Sequence, residues 1–259
     1  AGITLGSICP MSCRSETAGE EILFDVAVGG GLSTGGKASD KFTTYAGWSV
    51  QLSKAIVAVG PIYYYAGQPE ASLLDSLFGI RSAYACPTHA QFNKGAVLGE
   101  VVQQYAVDLL GSTTKLGTVP GLAGLCQSLE LHLHPVGKLS AGSSSTSLSE
   151  LSGETILLEG EAAKDGKTIA FRARLSLPEE GIMQVVESIP ASIPLYDSAE
   201  QSGYIMTEAL LDQWLATVSF DTLTEREGEV YLFSESTQAW TSLLRGVRSR
   251  YSYRVSWRS

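Results

Sequence analysis

The chain has 259 residues, 44% of them hydrophobic and 17% charged, with a formal net charge of -9. The length allows one large domain or two small ones around a sizeable core. The acidic balance argues against nucleic acid as a partner, since phosphate binding needs a basic surface, and no apolar run reaches the roughly 18 residues that a membrane-spanning helix requires.

The charged fraction lies well below the usual quarter of a soluble domain. Ser, Thr and Gly make up the difference, a composition typical of secreted β proteins. The chain starts at Ala1 with neither a basic nor an apolar leader, which reads as a mature chain after removal of an export signal. Cys9, Cys13, Cys86 and Cys126 are the only cysteines. An even number in such a chain points to disulfides, and four cysteines allow three pairings. Structural zinc is the rival, but a C-x3-C pair without a second close pair matches such sites poorly. Lipidation of Cys13 is a third reading.

In chain order, residues 1–21 read as an N-terminal arm and 22–259 as one β-sandwich domain. Ile22–Val28 alternates apolar and other residues and is a strand. The loop GGGLSTGGK after it approaches two catalytic patterns: Gly31-Leu32-Ser33-Thr34-Gly35 fits G-x-S-x-G, and Gly31 to Lys37 fits most of a P-loop. Both patterns need a helix directly afterwards to supply backbone donors. The continuation ASDKFTTYAG has no helical period, so a hairpin or surface loop is expected, with a Ser33 hydrolase the remotest reading.

Gly47–Gly67 is the longest apolar, β-branched and aromatic run. Trp48, Val50 and Leu52 face a core, but past Lys54 the apolar set moves to Ala55, Val57 and Val59. The phase change predicts a bulge near Ser53–Lys54 or a segment buried on both faces. Gly60-Pro61 then interrupts the pairing. Glu70–Phe78 has a helical period, and Val97–Leu110 leans to strand. Gly111–Gly124 reads as turns rich in Gly and Thr. Residues 140–152 form a Ser-rich loop; six serines fall between 140 and 149.

Strands are expected over Thr155–Glu159, Thr168–Leu177, Met183–Leu195 and Val230–Phe233. Helices are expected over Thr207–Val218 and Thr237–Leu244. The closing RYSYRVSWR alternates, with Tyr251, Tyr253, Val255 and Trp257 facing inward and Arg250, Arg254 and Arg258 outward. The fold class is mainly β: an antiparallel β-sandwich with two or three short helices.

The candidate sites are few. In LELHLHP, Glu130, His132 and His134 share one strand face, and histidines at i and i+2 lie about 7 Å apart, within reach of one cation. With His89 they define a candidate copper or zinc site. The arginine stripe Arg250/Arg254/Arg258 is either a docking face for an acidic partner or the charged guard of an edge strand. Tyr63 and Tyr65 form a sugar-stacking or partner-binding pair, or simple packing. No enzyme signature holds.

The run Gly47–Tyr65, the phrase GEVVQQYAVDLL and the closing GVRSRYSYRVSW resemble an uncharacterised family of secreted proteins and lipoproteins of myxobacteria-like organisms. That family carries a G-W-x-V-x-L segment leading into V-G-P-x-Y, then an Ala-His-Pro-Gly-His-Tyr motif. Here Ala85-Cys86-Pro87-Thr88-His89-Ala90 keeps one histidine and places a cysteine at the other. A looser likeness to periplasmic copper-binding β-sandwich proteins keeps the metal reading in play. The leading expectation is an extracytoplasmic, non-enzymatic component of the cell surface, associated with the outer membrane and acting by protein–protein contact in a larger assembly.

Overall fold

A computed structural model describes residues 19–68, 94–135, 145–177, 184–196 and 202–259. Cys9, Cys13, Cys86, His89 and the Glu70–Phe78 segment lie outside those residues. The fold is mainly β, in two sheets with short helices. One sheet has eight strands in the order β11 (Val185–Leu195), β8 (Gly124–His132), β4 (Ile62–Tyr65), β5 (Val97–Val101), β7 (Thr114–Leu122), β1 (Glu21–Gly31), β12 (Tyr204–Leu210) and β15 (Tyr253–Arg258). The other runs β13 (Arg226–Glu227), β14 (Val230–Leu232), β10 (Lys167–Leu175), β9 (Ile156–Lys164), β3 (Ser49–Val59) and β2 (Phe42–Thr43), with β6 (Tyr105–Asp108) also paired to β3. Most pairings are antiparallel, but β1 with β12 and β10 with β14 run parallel. The eight-stranded sheet curls until its end strands β11 and β15 touch, an arrangement between a sandwich and a barrel.

β3 carries both features its sequence predicts. The register against β9 shifts between Leu52 and Lys54. Past the bulge, Ala55, Val57 and Val59 join Val50 and Leu52 in the main core. Ile56 and Ala58 point the other way, into a second cluster with Ala106 and Leu157. That cluster is capped by Leu148 and Leu151 of helix α1 (Ser145–Leu151), so part of the Ser-rich stretch expected as loop is a helix that covers the outer side of β3. At Gly60-Pro61 the chain leaves one sheet and enters the other as β4. Gly60 has a positive φ, and a β-carbon there would lie 2.2 Å from the Gln103 carbonyl oxygen.

Three further expectations are corrected. Thr114–Leu122 is strand β7, paired with β1 along most of its length, because its glycines and threonines sit on a sheet and do not form turns. Thr207 begins no helix: it lies in β12, and α2 spans only Leu211–Leu215. Pairing on both sides, to β1 and β15, buries both faces of this segment and overrides its weak helical period. Helix α3 (Gln238–Arg248) forms where one was expected and runs about a turn past Leu244, with the Thr237 hydroxyl accepting from Trp240 N–H as its N-cap. Tyr251, expected in the core, is 63% exposed, because Arg250–Ser252 is a 3-10 turn ahead of β15. No helix among the described residues is long and apolar enough to cross a membrane.

Candidate functional site on the outer face of the eight-stranded sheet

The strand order β8-β4-β5-β7-β1 aligns outward-pointing side chains from five sequence regions. Leu23 pairs with Pro120 and Glu21 with Leu122. Gly99 meets Gly121, the one register pair between β5 and β7. Val97 pairs with Tyr65 and Glu100 with Tyr63, and Tyr63 in turn with Glu130. Leu23 and Val97 are 51% and 45% exposed. With Pro120 and Leu122 they line an open trough of about 580 Å³, rimmed by Glu21 and Glu100. The face has an apolar middle and a polar margin, the plan of a protein-binding surface.

On the β8 side the trough meets a packed cluster. The Tyr63 and Tyr65 rings are 6.4 Å apart, and Tyr63 stands edge-on to His132 at 5.6 Å. His132 Nε2 lies 2.8 Å from Glu130 Oε1. The Lys94 ammonium is hydrogen-bonded to Glu130, lies 3.0 Å from Glu187 Oε1, and sits over the Tyr65 ring at 5.7 Å. The hydrogen bond from His132, and then Lys94, hold the Glu130 carboxyl at about 2 against the opposing effect of burial. Burial, followed by the Glu130 charge, pushes Tyr65 up to about 12. Burial, then Glu100 and Glu130, raises Tyr63. Burial acts to lower Lys94, but its bonds to Glu130 and Glu187 prevail and raise it.

The Glu130 depression sets a pH dependence. A carboxylate with a lowered folded-state pKa stabilises the fold above its ordinary value of 4.5, and the contribution disappears as pH falls toward about 2. With Lys94, His132, Tyr63 and Tyr65 facing it, the contribution is on the order of 3 kcal/mol. In urea unfolding across this acid window, a Glu130→Gln variant is expected to lose stability less steeply than the native protein. Parallel profiles for the two would contradict the assigned role of Glu130.

Of the expected metal ligands, the fold brings Glu130 and His132 together. β8 ends at His132, and His134 beyond it lies with a ring nitrogen 2.9 Å from Gln104 Nε2. Among the described residues no group of three or more His, Cys, Asp or Glu could hold a metal ion. The Glu130 charge is balanced instead by Lys94. Cys126 is fully buried, forms no disulfide among the described residues, and its thiol is pushed up to about 11 by burial.

The arginine stripe serves internal contacts. Arg258 lies 3.2 Å and Arg254 3.7 Å from Glu208 Oε2 on β12. Arg254 also donates to the carbonyls of Leu32 and Ser33, at 2.9 and 3.1 Å, and so anchors the glycine-rich turn. Arg250 stacks on Tyr251. The Ser33 N–H donates to Asp212 Oδ1 at 2.8 Å and its hydroxyl to Asp212 Oδ2, while Gln213 Nε2 donates to the hydroxyl. An aspartate stands beside Ser33 in the place of an imidazole, and a bridge from Gly31 to Lys37 takes the place of the following helix that both catalytic patterns need.

Compared with protein-family models, curated proteins and solved structures, the chain gives no match.

Proposed function

We propose that this protein is an extracytoplasmic, non-enzymatic binding component of the cell surface that works by protein–protein contact in a larger assembly. The observation that carries the reading is the trough formed by Leu23, Val97, Pro120 and Leu122. It leaves large apolar side chains in solvent at the middle of a sheet face whose margin is charged. The low charged fraction and the Ser- and Gly-rich composition support an exported chain.

The test is a Leu23→Asp, Val97→Asp double variant. Both positions are about half exposed, so the cost to folding should be about 1 kcal/mol per site, from half-buried apolar area and the low strand propensity of aspartate. In gel filtration of source-cell extracts the native protein is expected to elute in a large complex, and the variant as a folded monomer. A native protein that elutes as a monomer, or a variant still in the complex, would remove this reading.

A further inference from the structure

We infer that the partner presents a basic segment to this face, with arginine or lysine flanking apolar side chains. The inference deepens the proposal above and rests on it. Among the described residues the trough carries the carboxylates of Glu21 and Glu100, and the adjoining cluster adds Glu130 and Glu187 with the ammonium of Lys94. Glu130 and Glu187 both share Lys94, which leaves the Glu21 and Glu100 end of the trough acidic. Tyr63 stands opposite Glu100 in the β4–β5 register, so this ring borders the acidic end. Charge complementarity therefore selects a cationic occupant.

Lys94 already displays the recognition in cis, with its ammonium over one tyrosine ring and between two carboxylates. Tyr63 and Glu100, paired across β4 and β5, repeat the ring-and-carboxylate combination one step along β4 at the edge of the trough. A guanidinium fits that step better than an ammonium, because it stacks flat on a ring and pairs side-on with a carboxylate. The apolar residues of the same segment would then lie against Leu23, Val97 and Pro120.

The probe is a short synthetic peptide of alternating arginine and leucine, measured by fluorescence anisotropy on the full chain against a counterpart of alternating glutamate and leucine. The basic peptide should bind at least about tenfold tighter. A Glu21→Gln, Glu100→Gln variant and a Tyr63→Leu variant should each weaken it by about the same factor. Equal binding of both peptides would overturn the basic-partner inference, as would basic-peptide affinity indifferent to these substitutions, which places the peptide elsewhere on an acidic chain. If the Leu23→Asp, Val97→Asp protein has meanwhile left its complex, protein contact at the face stands and only the partner's charge is wrong. If neither peptide binds and Leu23 and Val97 resist hydroxyl-radical labelling in the isolated protein, the chain's own remaining residues cover the face, and both readings fall.

Discussion

A Gly121→Val protein is expected to lose about 3 kcal/mol or more of stability, among the larger effects open to a single substitution. A β-carbon at Gly121 would lie 2.3 Å from the Leu98 carbonyl oxygen and 2.6 Å from the Phe24 ring. The first contact is with backbone. The second is with a fully buried ring that packs edge-on against Tyr64 at 5.6 Å and also lies under Gly99. Neither neighbour can yield cheaply. Gly121 and Gly99 form the one register pair between β5 and β7, so the added side chain would force open the seam beneath the trough. Denaturant unfolding measures the cost. A midpoint close to that of the native protein would show that the seam is not held as described.

The second large effect is at Gly246, where general propensity and local packing predict opposite signs. An alanine inside a helix ordinarily stabilises it by about 1 kcal/mol over glycine. Here the β-carbon would stand 2.2 Å from the Trp214 carbonyl oxygen and 2.9 Å from its α-carbon. Helix α3 can accept it only by moving off α2, which would disturb the buried Trp214 ring and its contact with Tyr253 at 6.1 Å. Gly246→Ala is therefore expected to destabilise by roughly 2–3 kcal/mol, overpacking outweighing propensity. Equilibrium unfolding followed by tryptophan fluorescence reads it directly; a stabilised variant would refute the close approach of the two helices.

Much of the framework can be read from local pattern, because alternation records which face is buried. The swap of phase at Ser53–Lys54 marks a bulge that keeps Leu52 and Ala55 in one core. The LELHLHP alternation puts Glu130 and His132 on one outward face, where they do meet. Pattern fails where neighbours decide. β12 is held as a strand by β1 and β15, from distant parts of the chain. β7 is a strand although glycine and threonine suggest turns. A local signal also marks the turn at Asp165-Gly166: both residues have positive φ and close the β9–β10 hairpin, as expected of an Asp-Gly dipeptide.

The trough was illegible for a topological reason. Leu23, Val97 and Pro120 belong to three strands, and no spacing in the sequence encodes the β5-β7-β1 order that sets them side by side. Likewise, the arginine alternation near the C-terminus gives no sign that Glu208 and the Leu32 and Ser33 carbonyls engage Arg254 and Arg258. A charged stripe reads the same in sequence whether its partners are internal or external.

Hydroxyl-radical labelling of Leu23, Val97 and Tyr63, compared between the isolated protein and the protein within its native complex, decides whether this face is the contact surface. All three are expected to be readily modified in isolation and strongly protected in the complex, with exposed residues away from this face, such as Tyr45 and Tyr251, unchanged. Equal modification of the three in both states would contradict a contact role for this face.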